Sequence, residues 1–235
     1  MKIALLGYGK MGKEIEKIAL ERGHEIVLRK TEDNDYKGLE SADVAIDFSI
    51  PIAAVTNIST CIKQQIPIVS GTTGWLEKYD EMVALCNEKN GSFLYSSNFS
   101  MGVNLFFELN KYLARLMSKM KDYKVSMQEI HHTQKLDAPS GTAISLAHGI
   151  IAETDYAEWT LERAKEKQIP IDVKRIDQTP GTHSVCYQSI EDEIEIKHTA
   201  FSRHGFALGA VVAAEWIVGK KGVFNMKDVL NIETV

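Results

Sequence analysis

The chain of 235 residues carries 27 Lys and Arg against 32 Asp and Glu, a net charge of −5 at neutral pH. That balance argues against a nucleic-acid binder, which needs surplus cations for phosphate, and no apolar run reaches the roughly 18 residues of a membrane span. Three cysteines, Cys61, Cys86 and Cys186, are too few and too far apart for a disulfide framework or a zinc knuckle, so reduced thiols in the cytoplasm and no metal site are expected.

Residues 2–6 form a short apolar run, as a strand buried on both faces would. No signal peptide is expected ahead of it. Gly7-Tyr8-Gly9-Lys10-Met11-Gly12 follows, and Met11, Ile15, Ile18 and Ala19 then recur at helical spacing until Gly23. Further strands are expected over 25–28, 44–48, 66–70 and 93–96, with helices over 52–64 and 75–90 and a polar loop over 31–41. This alternation predicts a parallel sheet covered on both faces. Four polar or glycine-rich segments, 7–12, 47–49, 71–74 and 96–100, fall at strand ends, where such sheets collect ligands.

The pattern changes near residue 101. A helix is expected over 103–117, a half-buried strand over 124–130 and a helix over 140–153. A charged helix is expected over 158–168, antiparallel strands over 172–175, 183–189 and 191–199, a buried helix over 207–218 and a short last element at 228–230. The fold class is therefore α/β: a Rossmann-type doubly wound parallel sheet (1–100 and 206–235) with an inserted α+β domain (101–205).

Gly7, Gly9 and Gly12 fit G-x-G-x-x-G in its required place, after a strand and opening a helix. The first glycine permits the turn, the second lets a pyrophosphate approach the backbone, and the third lets helix and strand pack. The helix start then favours the anion. The alternative is a structural turn or a mononucleotide site. Arg29 and Lys30 suit a 2′-phosphate and NADP, Glu32 suits a ribose hydroxyl and NAD, and all three could be solvated loop charges.

The most informative stretch is Glu129-Ile130-His131-His132-Thr133-Gln134-Lys135-Leu136-Asp137-Ala138-Pro139-Ser140-Gly141-Thr142. It reads as a strand end, a loop with two imidazoles and an ammonium, and a helix start. Adjacent strand residues point to opposite faces, so His131 and His132 are expected to do different jobs. Histidine suits proton transfer near neutrality, and Lys135 offers a point charge. Asp137, Ser140 and Thr142 are capping types, and the amides of Gly141 and Thr142 could hold a carboxylate. A small dianionic substrate follows. The bland alternative is a core histidine and a solvated lysine.

The run over 129–143 closely resembles the signature of the 4-hydroxy-tetrahydrodipicolinate (dihydrodipicolinate) reductase family. The likeness extends to G-Y-G-K-M-G at 7–12, G-T-T at 71–73, S-S-N-F-S at 96–100 and F-A-L-G-A-V-V-A-A-E-W-I near the C-terminus. It implies an NADPH- or NADH-dependent reductase of a cyclic imine-type dicarboxylate in lysine and diaminopimelate biosynthesis. By that likeness His131 is the general acid/base, Lys135 donates a proton or anchors substrate, and His132, Gly141 and Thr142 bind substrate. Gly7 through Gly12 would hold the pyrophosphate. Gly71, Thr72, Thr73, Ser96, Ser97, Asn98 and Phe99 would lie along the nicotinamide. The inserted domain would bind substrate and build a homotetramer, although the segment 183–193 is shorter than in typical members, which leaves a dimer open. The acidic residue often found after the second strand is also missing, so cofactor preference stays open. Other readings are another NAD(P) oxidoreductase acting on an imine or amino acid, or a non-catalytic NAD(P) sensor. Arg203 and His204 are read as a polar turn or an anion guard, His148 as structural, and His183 and His198 as strand residues without ligand spacing.

Overall fold

β1 (Lys2–Leu6) is apolar after Lys2 because it is covered on both sides. Ile3 and Leu5 enter one core with Ile15 and Ile18 of α1 (Lys10–Glu21) and Ala210, Ala214 and Ile217 of α6 (His204–Ile217). Ala4 and Leu6 enter a second core with Ile58 and Ile62 of α2 (Pro51–Lys63) and Met82 of α3 (Tyr79–Glu88). A side-chain period of two divides one strand between two layers. The chain is a computed structural model describing residues 1–32 and 34–232; Asp33 of the expected loop and Glu233, Thr234 and Val235 at the end of the expected cofactor domain lie outside the described residues.

Contacts divide the chain into two units, Met1–Met101 with His204–Val235, and Gly102–Arg203. The first holds a parallel sheet that adds β2 (Glu25–Lys30), β3 (Val44–Asp47), β4 (Ile68–Ser70), β5 (Ser92–Tyr95) and β11 (Gly222–Phe224). The order is β11-β5-β4-β3-β1-β2. Strand β2 runs two residues beyond its expected end, so Arg29 and Lys30 sit in register with Leu5 and Leu6. Strand β11 escaped the sequence reading, since three residues carry no periodicity. Buried helix α6 packs so closely that a Cβ at Gly209 would stand 1.8 Å from the Phe99 carbonyl oxygen. A short helix, α7 (Met226–Val229), closes the unit, capped by Asn225.

The second unit is a mixed sheet of order β10-β9-β6-β8-β7. Its strands are β6 (Lys124–His131), β7 (Glu158–Thr160), β8 (Gln168–Arg175), β9 (Gly181–Gln188) and β10 (Glu193–Ala200). Its core joins Val125 and Met127 of β6, Ile169 and Ile171 of β8 and Val185 and Tyr187 of β9. Phe106 and Ala114 of α4 (Met101–Met117) and Leu146 and Ile150 of α5 (Gly141–Ile151) complete it. Two expectations are corrected. The charged stretch 158–168 is not a helix: β7 pairs in parallel with β8, and Lys167 takes a φ of 61° between them. It has no helical stripe to bury, whereas as strands it presents Trp159 and Ile169 to the core. And β8 runs parallel, not antiparallel, to β6 as well.

Candidate active site

The three glycines of the first loop divide their roles as the motif requires. Gly7 has φ +101° and a Cβ there would meet the Phe48 carbonyl oxygen at 2.3 Å; a Cβ at Gly12 would meet the Gly7 oxygen at 2.3 Å. At Gly9 no atom of the described residues beyond its chain neighbours lies within 4 Å of that position. Gly9 caps α1 without a side-chain bond, so the first-turn N–H groups keep no helical acceptor. Open space before free amides fits a diphosphate.

Phe48, at the end of β3, gathers the other sheet-edge segments. Its ring would clash with any side chain at Gly71 and stands 5.5 Å from the Phe99 ring. Thr72 is buried and accepts the Ser49 amide at 2.8 Å, while Thr73 is exposed. The Ser96 amide donates to the Ser70 carbonyl at 3.2 Å and its hydroxyl to the Asn98 carbonyl at 2.7 Å. Ser97 is exposed, and Phe99 lies in the core. Beneath this edge sits Asp47, fully buried, a residue the sequence reading gave no role. It accepts from Ser49 (2.7 Å), Asn57 (2.8 Å) and Ser70 (2.8 Å). Burial pushes its carboxyl up against the pull of those bonds. Of the expected cations, Arg29 is held by Glu16, with Nε donating at 2.9 Å. Tyr8 also donates to Glu16, and Lys30 donates to the carbonyls of Thr31 (3.1 Å) and Asn34 (2.6 Å). His204 pairs with Glu14 at 3.1 Å, as a polar turn would.

In the second unit, strand geometry continues one residue past its expected end. His131 therefore joins Val125, Met127 and Glu129 on the buried face, and His132 is turned away from it. Pairing register completes the cluster: His183 of β9 lies opposite Glu129, and Arg175 of β8 lies beside His131. The Glu129 carboxylate is fully buried. One oxygen takes Arg175 at 3.1 Å and faces His131 Nδ1 at 3.7 Å; the other accepts the Ser140 amide at 2.8 Å and faces His183 Nε2 at 3.8 Å. Burial would raise this carboxyl, but the facing His131 and the bonded Ser140 outweigh it and hold it at about 2. Burial and the neighbouring His131 depress His183 to about 4, so it is neutral at physiological pH. Glu129, His131 and His183 bring ligating atoms within 4.8 Å of one another, a convergence that spacing did not reveal. Arg175 already supplies the carboxylate's counter-charge, which disfavours a cation there.

The loop beyond β6 is tied to this cluster. Arg175 also donates to the carbonyls of Lys135 (3.3 Å) and Asp137 (2.7 Å). Lys135 Nζ donates to both Asp137 oxygens, at 2.8 and 2.7 Å, and this holds the Asp137 carboxyl below its ordinary range. Asp137, a capping type in sequence, is thus the partner of Lys135. The cap of α5 is Ser140, which accepts the Ala143 amide at 3.2 Å. The amides of Gly141 and Thr142 open that helix, and among the described residues nothing beyond the adjoining backbone lies within 4 Å of where a Gly141 side chain would be. His148, expected to be structural, is exposed on α5.

Residues 1–99 match the family model "Dihydrodipicolinate reductase, N-terminus", and residues 102–230 match "Dihydrodipicolinate reductase, C-terminus". The chain belongs to the dihydrodipicolinate reductase family. A curated 4-hydroxy-tetrahydrodipicolinate reductase from Christiangramia forsetii is 54% identical over 234 residues, 98% of each chain. Another, from Methanoregula boonei, is 36% identical over 90% of this chain and 83% of its own. Among solved structures, the dipicolinate-bound dihydrodipicolinate reductase from Paenisporosarcina sp. TG-14 superposes with a TM-score of 0.80. It is 21% identical and covers 97% of this chain and 98% of that one, a likeness of fold. The function expected from the sequence, a reductase drawing on NADH or NADPH, is the one this family carries, and no helix among the described residues is long and apolar enough to cross a membrane.

Proposed function

We propose that this chain reduces 4-hydroxy-tetrahydrodipicolinate (dihydrodipicolinate) to tetrahydrodipicolinate in diaminopimelate and lysine biosynthesis, as a cytoplasmic homo-oligomer of four or two chains. The observation that carries the reading is the construction of 129–143. One imidazole is buried beside a carboxylate, one ammonium stands at the surface of the same loop, and a helix opens with free amides. This suits a small dicarboxylate that must take up a proton as it is reduced.

Gly7, Tyr8, Gly9, Lys10, Met11 and Gly12 would hold the diphosphate of the dinucleotide. Gly71, Thr72, Thr73, Ser96, Ser97, Asn98 and the backbone of Phe99 would flank its nicotinamide, with Arg29 and Lys30 on the adenosine side. When bound, NADH or NADPH supplies the hydride. The protein's own work is to orient the substrate and move a proton. His131 gives that proton to the reduced substrate. Lys135 exchanges Asp137 for a substrate carboxylate, Gly141 and Thr142 bind a carboxylate through their amides, and His132 contacts the substrate from the loop.

The test is a coupled assay in which pyruvate and aspartate semialdehyde are condensed by the preceding synthase and each nicotinamide cofactor is supplied separately. Loss of reduced-nicotinamide absorbance that requires the synthase product supports the assignment. No loss with either cofactor refutes it.

A further inference from the structure

We propose that Glu129 is the positioning carboxylate of His131: it draws the imidazole's Nδ1–H toward its own Oε1 and leaves Nε2 as the atom that transfers the proton. The inference rests on the proposed role of His131 and assigns the group that makes that role work.

Four observations converge. The Glu129 side chain has no solvent exposure, and a carboxylate is kept in such a place only where several donors meet it. The His131 side chain is 8% exposed, and its Nδ1 is a buried atom with no hydrogen-bond partner among the described residues. Such an orphan is costly unless it is completed. Glu129 Oε1 faces it at 3.7 Å, and both residues lie on the buried face of one strand. A closure of under about 1 Å makes this a hydrogen bond, and catalytic bonds are often long before substrate binds. The other ring nitrogen faces Gly181, where an added Cβ would stand 3.1 Å from Nε2. Absence of a side chain there keeps the transferring atom clear.

The surrounding charges agree with this division. Arg175 of β8 bonds the same oxygen at 3.1 Å, and the Ser140 amide holds the other at 2.8 Å, so the carboxylate stays ionised and cannot turn away. His183 of β9 lies edge-on to His131 with ring centroids 5.0 Å apart; burial keeps it neutral, and its Nε2 is taken by the Ser140 hydroxyl at 3.0 Å. It therefore adds no competing positive charge. His198 of β10 is also pushed toward its neutral form by burial. In the loop, Lys135 is balanced by Asp137. Glu129 is left as the anion facing the His131 ring, and it fixes which nitrogen carries the proton.

The experiment has two readouts. Nitrogen NMR of the wild-type protein, with the His131 signals assigned by comparison with His131→Gln, should show the neutral ring protonated at Nδ1. Glu129→Gln should weaken that preference, with a larger share of the proton on Nε2. In turnover, Glu129→Gln should lower kcat about 100-fold while KM for the dicarboxylate stays within about threefold. Glu129→Asp should recover part of that loss. A neutral ring protonated at Nε2 in the wild-type protein overturns the proposal whether or not Glu129→Gln folds. So does a Glu129→Gln enzyme within about threefold of wild-type kcat. A wild-type protein that fails to turn over the synthase product would refute the assigned reaction instead, and the ring measurement would still decide the role of Glu129.

Discussion

Adjacent glycines of the first loop should respond in opposite ways to the same added methyl group. Gly9→Ala places its Cβ where no atom of the described residues beyond its chain neighbours lies within 4 Å, at φ −83° and ψ −154°, which any L-residue adopts. Losing a glycine cap for alanine costs up to about 1 kcal/mol. The more restricted unfolded chain returns about 0.4–1 kcal/mol, so the net change is near zero. Gly12→Ala puts its Cβ 2.3 Å from the Gly7 carbonyl oxygen, about 1 Å inside an ordinary contact. Backbone cannot rotate away as a side chain would. The overlap costs roughly 1–3 kcal/mol, more than the helix-propensity gain of up to about 1 kcal/mol. Thermal unfolding should therefore leave Gly9→Ala within about 2 °C of wild type and lower Gly12→Ala by several degrees. Fluorescence titration with NADPH and NADH should show the reverse economy of effect: Gly9→Ala, although fully folded, should bind at least about tenfold more weakly, because its methyl occupies the diphosphate's place. A folded Gly9→Ala protein with wild-type affinity for both cofactors would refute the placement of the diphosphate.

His131→Gln and Lys135→Ala should each lower turnover about 100-fold or more while leaving NADPH and NADH binding unchanged in the same titration. Asp137→Asn frees the Lys135 ammonium from a surface pair, so KM for the dicarboxylate should fall by up to about fivefold in steady-state assays. Acid should weaken the second unit in two windows. His183 takes its proton near 6.5 when unfolded but only at about 4 when folded, so stability present above 6.5 is lost as pH falls through that interval. The loss is of order 3 kcal/mol, and urea titrations of His183→Gln across that range should show it removed. Glu129, depressed from 4.5 to about 2, makes a second loss of similar order below pH 4.5, and Glu129→Gln should abolish that one. Gly209→Ala, whose Cβ would stand 1.8 Å from the Phe99 carbonyl oxygen, should cost about 3 kcal/mol or more in the same urea assay.

The doubly wound sheet was legible because its signals are local. Residues 2–6 read as a strand through a run of side chains buried alternately on two faces, and Gly7 through Gly12 as a loop through three positions that forbid a Cβ or leave room for an anion. Residues 129–143 showed two histidines, a lysine and a helix start within one short segment. Register was not legible. Glu129 looked like any strand residue until β9 set His183 opposite it and β8 set Arg175 beside its neighbour His131, from positions more than forty residues away. The pairing of Lys135 with Asp137 and the replacement of an expected helix over 158–168 by a strand, a turn and the start of the next strand were likewise settled by neighbours. Side-chain periodicity is written in the chain itself, whereas the electrostatic surroundings of a buried group are written by whichever strands the core brings alongside it.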